Sequence, residues 1–271
     1  MIIMYDDLEE EIKEFISLDR NNFNALANNV QNAFLEMAAK LRFQRMVLSD
    51  LVLPKYKSII DTINQQIPIR HFNLVRKHFE TALLNIESIN KEKYYLKVYD
   101  DISDPFYKQR LDNYIYCLTL LKDHPVIPVP KLIMKGENFI LISSIDGINL
   151  QQYYKQGGSH DFTNQMSEII YHLKKTVDTV DKRFFLIDNE MDEDGEEIYT
   201  IDELKLRYPW LSDVTDSSIF CHNDLHDENI IVHNNKIVGI IDWELGGFYL
   251  NGYERCKYKY LNQYTRFDHL F

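Results

Sequence analysis

The chain has 271 residues, enough for one sizeable core or two lobes, and its 45% hydrophobic and 27% charged content is ordinary for a globular protein. The formal net charge of −12 argues against a surface that binds nucleic acid or an anionic membrane. The three cysteines, Cys117, Cys221 and Cys256, have no paired spacing, which favours a reducing compartment and gives no zinc motif. No stretch approaches the ~20 apolar residues of a membrane span, and no signal sequence is present, so we expect a cytoplasmic protein.

Residues 1–65 predict a helical N-terminal extension. After Asp19–Asn22, a group of start signals, apolar residues recur at helical spacing. A second helix is expected over Val47–Ile63, with an interruption at Pro54. We interpret the extension as a cap on the rest of the protein, and a partner-binding helix is the alternative. The residues on the apolar face of the first helix are Leu26, Val30, Ala33, Phe34, Met37 and Leu41.

Residues 66–147 predict a small lobe rich in strands. His71–His78, Thr81–Glu87 and Lys93–Tyr99 alternate or carry β-forming residues, which favours an antiparallel meander. In the third strand, Lys97 lies on the face opposite Tyr94, Leu96 and Val98. A helix is expected over Tyr107–Lys122. No glycine-rich phosphate loop is visible, because residues 73–87 contain no glycine.

Residues 148–271 predict a mainly helical second lobe. Phe162–Val180 has an apolar face at helical spacing. Asp188–Glu197 is an acidic run that is either a solvated loop or an electrostatic attraction for an amine-bearing ligand. The apolar face of the helix consists of Met166, Ile169, Ile170, Leu173 and Val177.

The motif that carries chemistry is His222-x-Asp224-x-x-x-x-Asn229, followed by Asp242-Trp243-Glu244. Phosphoryl transfer to a hydroxyl needs a carboxylate that orients the nucleophile and accepts its proton. It also needs hard oxygen ligands for the metal ions that neutralise the phosphates, and a second Asp with an Asn supplies them. Singly, such residues are more often structural histidines or turn formers. Their combination points to phosphoryl transfer.

The residues around this motif predict a strand, a loop and a hairpin. Ser218–Cys221 is a short apolar strand that leads into the loop. Ile230–His233 and Ile237–Ile241 are rich in β-branched residues and flank a turn at residues 234–236. Such a hairpin would carry Asp242 back beside Asn229.

This motif resembles that of the aminoglycoside phosphotransferase and choline kinase family, small-molecule kinases with a protein-kinase-like fold. Phe220–Leu225 is most similar to choline and ethanolamine kinases. Asp242–Glu244 with Gly246–Tyr249 is more similar to fungal-type members of the phosphotransferase enzyme family. An ordinary protein kinase is disfavoured, because neither Asp-Phe-Gly nor Ala-Pro-Glu is present at the matching positions. The resemblance implies a two-lobed α+β fold with an antiparallel-sheet N-lobe and a helical C-lobe.

The resemblance also implies roles for the motif residues. Asp224 would be the catalytic base, and His222 would organise the loop. Asn229 and Asp242 would be the ligands of Mg²⁺.

Nucleotide contacts are implied in the first lobe. Lys97 would hold the α- and β-phosphates of ATP, with Asp112 as the nearest candidate for its acidic partner. The backbone of Ser143, Ser144 and Ile145 would contact the adenine. Asp146-Gly147 serves equally well as part of that hinge or as a simple turn.

The function that follows is the transfer of the γ-phosphoryl group of ATP to a hydroxyl of a small, amine-bearing or neutral molecule. One alternative is a choline or ethanolamine kinase-like enzyme, in which aromatic residues with Glu244 and Glu254 box a quaternary ammonium. Those aromatic residues also suit ordinary core packing. The other alternative is a catalytically silent binding protein with a kinase fold. In the related kinases, helices after the second motif build much of the acceptor pocket, and here 29 residues follow Asp242.

Overall fold

The computed structural model of the protein describes residues 53–78, 81–176, 202, 205–206, 208–261 and 266–270. The helix predicted after Asp19–Asn22 and the acidic run Asp188–Glu197 lie outside these residues. Residue contacts divide the chain into two compact units, residues 1–74 with 87–91 and residues 75–86 with 92–271. Every candidate site residue named above lies in the second unit.

In the first unit, a short 3₁₀ turn over Leu53–Tyr56 leads into helix α1, Lys57–Gln66. The sequence predicted an interruption at Pro54, and the structure places that proline inside the 3₁₀ turn. The helix ends at Gln66, where the N–H of Ile67 donates a 2.8 Å hydrogen bond to the carbonyl of Ile63. The buried residues follow the three- and four-residue spacing of an amphipathic helix, and they are Tyr56, Ile60 and Ile63.

A five-stranded sheet has the strand order β1-β2-β3-β5-β4. The strands are β1 (Ile69–His78), β2 (Thr81–Ser88), β3 (Lys93–Tyr99), β4 (Leu132–Lys135) and β5 (Phe139–Ser143). The meander predicted over the first three strands is confirmed. Burial alternates along β2 and over most of β3, as expected where one face of a sheet is covered. The antiparallel pairing of β3 with β5 sets Lys97 opposite Ile140 and fixes the position of the lysine on the sheet.

Helix α2, Pro105–Leu120, follows β3. Its first turn is specified locally, because the Asp104 side chain accepts a 2.9 Å hydrogen bond from the N–H of Phe106 and Pro105 occupies the first helical position. The helix packs against a 3₁₀ turn over Trp243–Leu245, the segment that follows Asp242. Helix α2 therefore brings its buried side chains to the second motif.

The remaining helices and strands all lie in the second unit. They are β6 (Ile148–Asn149), α3 (Leu150–Lys155), α4 (Thr163–Lys175), β7 (Thr215–Cys221), β8 (Ile230–His233), β9 (Lys236–Ile240), β10 (Gly247–Asn251) and α5 (Tyr253–Leu261). Two small sheets have the orders β10-β7 and β6-β8-β9. The predicted apolar face of α4 is confirmed for Met166, Ile169, Ile170 and Leu173, which are buried.

This combination of an antiparallel sheet, helices and small sheets confirms the predicted α+β class. Within the described ranges, no helix is both long enough and apolar enough to span a membrane. The three cysteines are free thiols, and all are buried.

Candidate active site

Strand β7 delivers His222 to the start of the candidate catalytic loop. The imidazole is fully buried; its Nε2 lies 2.8 Å from the carbonyl of Ile241, and its Nδ1 accepts a 3.2 Å hydrogen bond from the N–H of Asp224. Because Nδ1 accepts, Nε2 carries the proton and donates to Ile241. Burial lowers the pKa of His222 to about 4, so the ring is neutral at pH 7. His222 thus ties the loop to the strand that precedes Asp242.

Asn223, the next residue, has a left-handed backbone with φ 62°. Its N–H donates a 2.6 Å hydrogen bond to Glu254 Oε1, and its carbonyl accepts a 3.2 Å bond from Lys257 Nζ. Both partners lie on helix α5. An unfavourable backbone conformation of this kind persists where surrounding groups fix it, and here α5 supplies those groups.

Helix α5 also holds the loop on the other side of Asp224. The N–H of Leu225 donates to the Tyr258 hydroxyl at 2.5 Å, and that hydroxyl donates to Glu254 Oε1 at 3.1 Å. Burial raises the pKa of Glu254 to about 7. Glu254 is only 6% exposed, so its carboxylate supports the loop and does not face an acceptor, which is against the alternative of an ammonium box.

Asp224 is partly open to solvent, with 33% of its side chain exposed. Asn229 Nδ2 donates to the Asp224 carbonyl at 2.9 Å and to its Oδ2 at 3.3 Å, which orients the carboxylate. His226 Nε2 lies 3.7 Å from the same Oδ2. Burial raises the pKa of Asp224 and outweighs the opposing effects of His226 and Asn229. The predicted base is therefore oriented, accessible and more basic than an ordinary aspartate.

The predicted hairpin is confirmed, and it sets the second motif beside the first. Strands β8 and β9 are joined by Asn234 and Asn235, both with positive φ, at 48° and 59°. Asparagine tolerates this conformation, which suits tight hairpin turns. The N–H of Ile241 then donates a 2.9 Å hydrogen bond to the carbonyl of Asn229. Asp242 consequently leaves the hairpin next to Asn229.

Asp242 also has a left-handed backbone, with φ 63° and ψ 59°. Its N–H donates to the Tyr114 hydroxyl at 3.2 Å, and its Oδ1 accepts from Lys97 Nζ at 3.0 Å. Burial acts to raise the pKa of Asp242, but the Lys97 ammonium outweighs it, so the pKa lies below its ordinary value. The side chain is 41% exposed. Asp242 is thus an ionised carboxylate that a ligand can reach.

The donor set of Asn229 and Asp242 fits Mg²⁺, which prefers oxygen ligands and takes few of them from protein. The contacts of the Asn229 amide all use Nδ2, so among the described residues its Oδ1 has no protein hydrogen bond. That oxygen and the Asp242 carboxylate are the groups available to a cation. No cluster of three His, Cys, Asp or Glu side chains that could hold a metal ion occurs in the described part of the chain.

Lys97 lies between two carboxylates, and neither belongs to Asp112. Its Nζ is 2.5 Å from Glu244 Oε1 and 3.0 Å from Asp242 Oδ1. Asp112 instead pairs with Lys108, one turn away on the exposed side of helix α2. Asp112, the nearest candidate in the sequence, is therefore not the acidic partner of Lys97.

In the predicted hinge, residues 143–145, two of the three backbone N–H groups already donate hydrogen bonds within the protein. The N–H of Ser143 donates to the Lys131 carbonyl and that of Ser144 to the Lys93 carbonyl, each at 2.9 Å. These two groups are already used within the protein, whereas Ile145 makes no hydrogen bond to another described residue. Gly147 has φ 152°, and a Cβ there would lie 2.6 Å from the carbonyl oxygen of Val232. A glycine is needed at this position for close packing of two backbone segments.

Comparison with known proteins supports the resemblance. Residues 180–253 match the model of the phosphotransferase enzyme family. The streptomycin–ATP ternary complex of APH(2")-IIa is similar in structure, with a TM-score of 0.55, 16% identity and 79% of each chain covered. ADP-bound aminoglycoside phosphotransferase APH(2'')-Ib has a TM-score of 0.53 and 20% identity, with 75% of this chain and 74% of that chain covered. A ternary complex of a thermostable mutant of APH(4)-Ia with ADP and hygromycin B has a TM-score of 0.53 and 15% identity, with 77% of this chain and 78% of that chain covered.

The chain has the aminoglycoside phosphotransferase fold. No curated protein matches it. The family match covers Asp224, Asn229 and Asp242, whereas Lys97 lies outside the matched residues. The predicted resemblance is confirmed, and its finer assignment to a fungal-type branch stays a prediction.

Three residues of this aminoglycoside phosphotransferase-like site were missed in the sequence. His226 had a local signal, because it stands two residues after Asp224 and three before Asn229. For Glu244 it was the role that was missed: the sequence suggested an acceptor-binding residue, whereas the side chain contacts Lys97, which lies 147 positions earlier in the chain. Tyr114 had no signal, since a tyrosine on a helix is most often core packing.

Proposed function

We propose that the protein is a small-molecule kinase that transfers the γ-phosphoryl group of ATP to a hydroxyl group. The observation that carries this proposal is the joint geometry of four groups: an accessible Asp224, the oxygen ligands of Asn229 and Asp242, and the Lys97 ammonium. His222 and the β8–β9 hairpin tie the loop of Asp224 to the segment of Asp242. A protein that only binds a partner has no physical need for this combination.

Asp224 acts as the base in this proposal. The acceptor oxygen attacks the γ-phosphorus, the bond from that phosphorus to the bridging oxygen of ADP breaks, and the acceptor proton passes to the Asp224 carboxylate. The raised pKa of Asp224 favours this transfer, because a carboxylate whose pKa lies closer to the working pH is the stronger base. Asn229 keeps the receiving oxygen oriented.

Charge neutralisation falls to the other groups. Asn229 and Asp242 would hold Mg²⁺, which supplies charge stabilisation to the phosphates when bound. Lys97 donates to the phosphate oxygens. Of the three hinge residues, Ile145 is the one whose N–H makes no hydrogen bond to another described residue and is left for the adenine. Most of the acceleration comes from positioning and preorganised charge, as in phosphoryl transfer generally.

The acceptor class is proposed from the structural likeness. The names of two similar structures include an aminoglycoside, streptomycin or hygromycin B, beside a nucleotide. An acceptor with several hydroxyls and amines is therefore the first class to test. Glu244 and Glu254 do not support a choline-like box, because both are buried and already bonded within the protein.

The decisive experiment measures ADP formation with Mg-ATP and a panel of aminoglycosides, amino alcohols and sugars. At least one acceptor should stimulate turnover in the wild type, with the phosphorylated product confirmed by mass spectrometry. Asp224→Asn should remove that stimulation. If ATP binds and no hydroxyl compound in a broad panel is phosphorylated, the silent binding protein takes the place of the kinase.

A further inference from the structure

Lys97 in this protein has an unexpected partner. Its Nζ contacts Glu244 Oε1 at 2.5 Å, closer than the 3.0 Å to Asp242 Oδ1. Only 17% of the lysine side chain is exposed, so most of its charge is met by protein groups and not by water. Its two carboxylate partners are separated by one residue in the same segment.

The position of the Glu244 carboxylate is fixed by other contacts. The Tyr99 hydroxyl donates to Oε1 at 2.6 Å, and Arg110 Nη1 lies 3.4 Å from Oε2. Asn113 Nδ2 donates to the Glu244 carbonyl at 3.3 Å. The residue is 7% exposed. Groups from strand β3 and helix α2 therefore aim this carboxylate at Lys97.

Helix α2 directs a cation, Arg110, at the site, whereas the family resemblance implied an acidic residue of this helix as the partner of Lys97. The only acidic residue in Pro105–Leu120 is Asp112, and it is paired with Lys108 on the exposed side. Helix α2 directs three side chains at the site. Arg110 contacts the Glu244 carboxylate, and Asn113 donates to the Glu244 carbonyl. Tyr114 accepts from the Asp242 N–H, and its ring centroid lies 5.6 Å from Lys97 Nζ. Two cations thus face two carboxylates.

We propose that Glu244 is the positioning residue for Lys97, and that Arg110 of helix α2 holds Glu244 in place. This inference rests on the proposed function. Asp242 has to serve a metal ion as well as the lysine, and a carboxylate shared in this way is a poor anchor. Glu244 remains paired with Lys97 when Asp242 turns to a cation, so the buried ammonium stays compensated and aimed at the phosphates.

Nucleotide binding tests the proposal without any turnover. Glu244→Gln keeps the shape and removes the charge, and it should weaken ADP binding, measured calorimetrically without metal, by about 10- to 100-fold, the scale of a hydrogen bond to a charged group. Adenosine has no phosphate, so its affinity should stay unchanged, which also shows that the variant is folded. Asp112→Asn is the matched control on helix α2 and should leave both affinities unchanged.

A double-mutant cycle separates positioning from general damage. Once Lys97→Met has removed the ammonium, adding Glu244→Gln should cost little further ADP affinity, because the two residues act through one contact. Glu244→Asp, which keeps the charge on a shorter chain, should recover part of the affinity lost in Glu244→Gln. Additive losses of the two substitutions, or equal losses of ADP and adenosine affinity, would overturn the proposal.

Nucleotide binding by the wild type and by Glu244→Gln distinguishes a failure of the proposed function from a failure of the role of Glu244. A wild-type protein that binds neither ATP nor ADP would remove the proposed function. A wild-type protein that binds both, with a Glu244→Gln variant that binds ADP equally well, would remove only the role of Glu244.

Discussion

The backbone N–H of Asp242 donates a 3.2 Å hydrogen bond to the Tyr114 hydroxyl, which fastens the second motif to helix α2. A left-handed backbone at a residue other than glycine costs about 1–2 kcal/mol. Asp242 adopts it at φ 63°, and the bonds to Tyr114 and Lys97 offset the cost. A residue held in this way presents its carboxylate in one direction, as a metal ligand requires.

Asp242→Ala should abolish most of the stabilisation that Mg-ATP gives the wild type. A ligand that binds only the folded state raises the melting temperature, and removal of the candidate metal ligand removes the metal-dependent part of that gain. The measurement is thermal unfolding with ATP, in the presence and absence of Mg²⁺. Asp112→Ala is the control, since Asp112 is exposed and its ion pair among the described residues is with Lys108. Equal magnesium-dependent shifts in the Asp242→Ala variant and the wild type would contradict the assignment.

Asp224→Asn should reduce turnover by roughly 10²- to 10⁴-fold, the usual contribution of general-base catalysis, while ATP affinity stays nearly unchanged. The amide keeps the shape of the side chain and cannot accept the proton. Steady-state rates and calorimetric ATP titration are the paired measurements. Asp213→Asn, at a carboxylate that is 62% exposed, controls for the loss of one negative charge. Full turnover in the Asp224 variant would mean that another group is the base.

The sequence predicted the elements whose formation depends on residues close together in the chain, such as the β8–β9 hairpin and helix α4. The β8–β9 hairpin follows from β-branched strands around Asn234 and Asn235, whose backbone angles such a turn requires. Helix α4 follows from the apolar spacing of residues such as Met166 and Leu173, both of which are buried. Both elements could be predicted because the spacing of apolar residues and the residue types of a turn are visible within a short stretch of sequence.

Spacing along the chain predicted only those site contacts whose residues are close in sequence, whereas the place of Lys97 at the site followed from the family resemblance. Asn229 and Asp242 are joined by one hairpin, so their proximity followed from the sequence. The contact between Lys97 and Glu244 depends on the packing of strand β3 and helix α2 around a distant segment, and no spacing encodes it. The N–H groups of Ser143 and Ser144 are used by neighbouring strands, which only the sheet pairing reveals.

Gly147→Ala should destabilise the protein by about 2–4 kcal/mol, more than Gly157→Ala, which should cost about 1 kcal/mol. Both glycines have positive φ, at 152° and 85°, so both alanines are strained. Only at Gly147 would the new Cβ also meet a backbone oxygen, that of Val232, whereas nothing lies within 4 Å at Gly157. Urea unfolding of the two variants measures the difference. Equal losses would show that the backbone near the predicted hinge is not packed as described.

Glu254→Gln should change how stability depends on pH. Burial raises the pKa of Glu254 from 4.5 to about 7, so the folded protein holds this proton more tightly than the unfolded chain does. Its contribution to stability is therefore complete below pH 4.5 and is lost as the pH rises through about 7. The free energy of unfolding of the wild type should fall, relative to that of Glu254→Gln, between pH 5 and pH 8. Denaturant unfolding across that range is the measurement.

The same substitution tests whether helix α5 supports the catalytic loop. Glu254 Oε1 accepts from both the Asn223 N–H and the Tyr258 hydroxyl. The neutral amide oxygen of glutamine is a weaker acceptor than a carboxylate, so the variant should weaken both bonds and disturb the loop around Asp224. Turnover should fall more than ATP affinity measured without metal, because the loop carries the base, whereas Lys97 and the hinge would contact the nucleotide. Glu168→Gln, at an exposed position on helix α4, controls for the loss of a charge. A stability difference between the wild type and Glu254→Gln that is constant from pH 5 to pH 8 would show that this carboxylate does not titrate with a raised pKa.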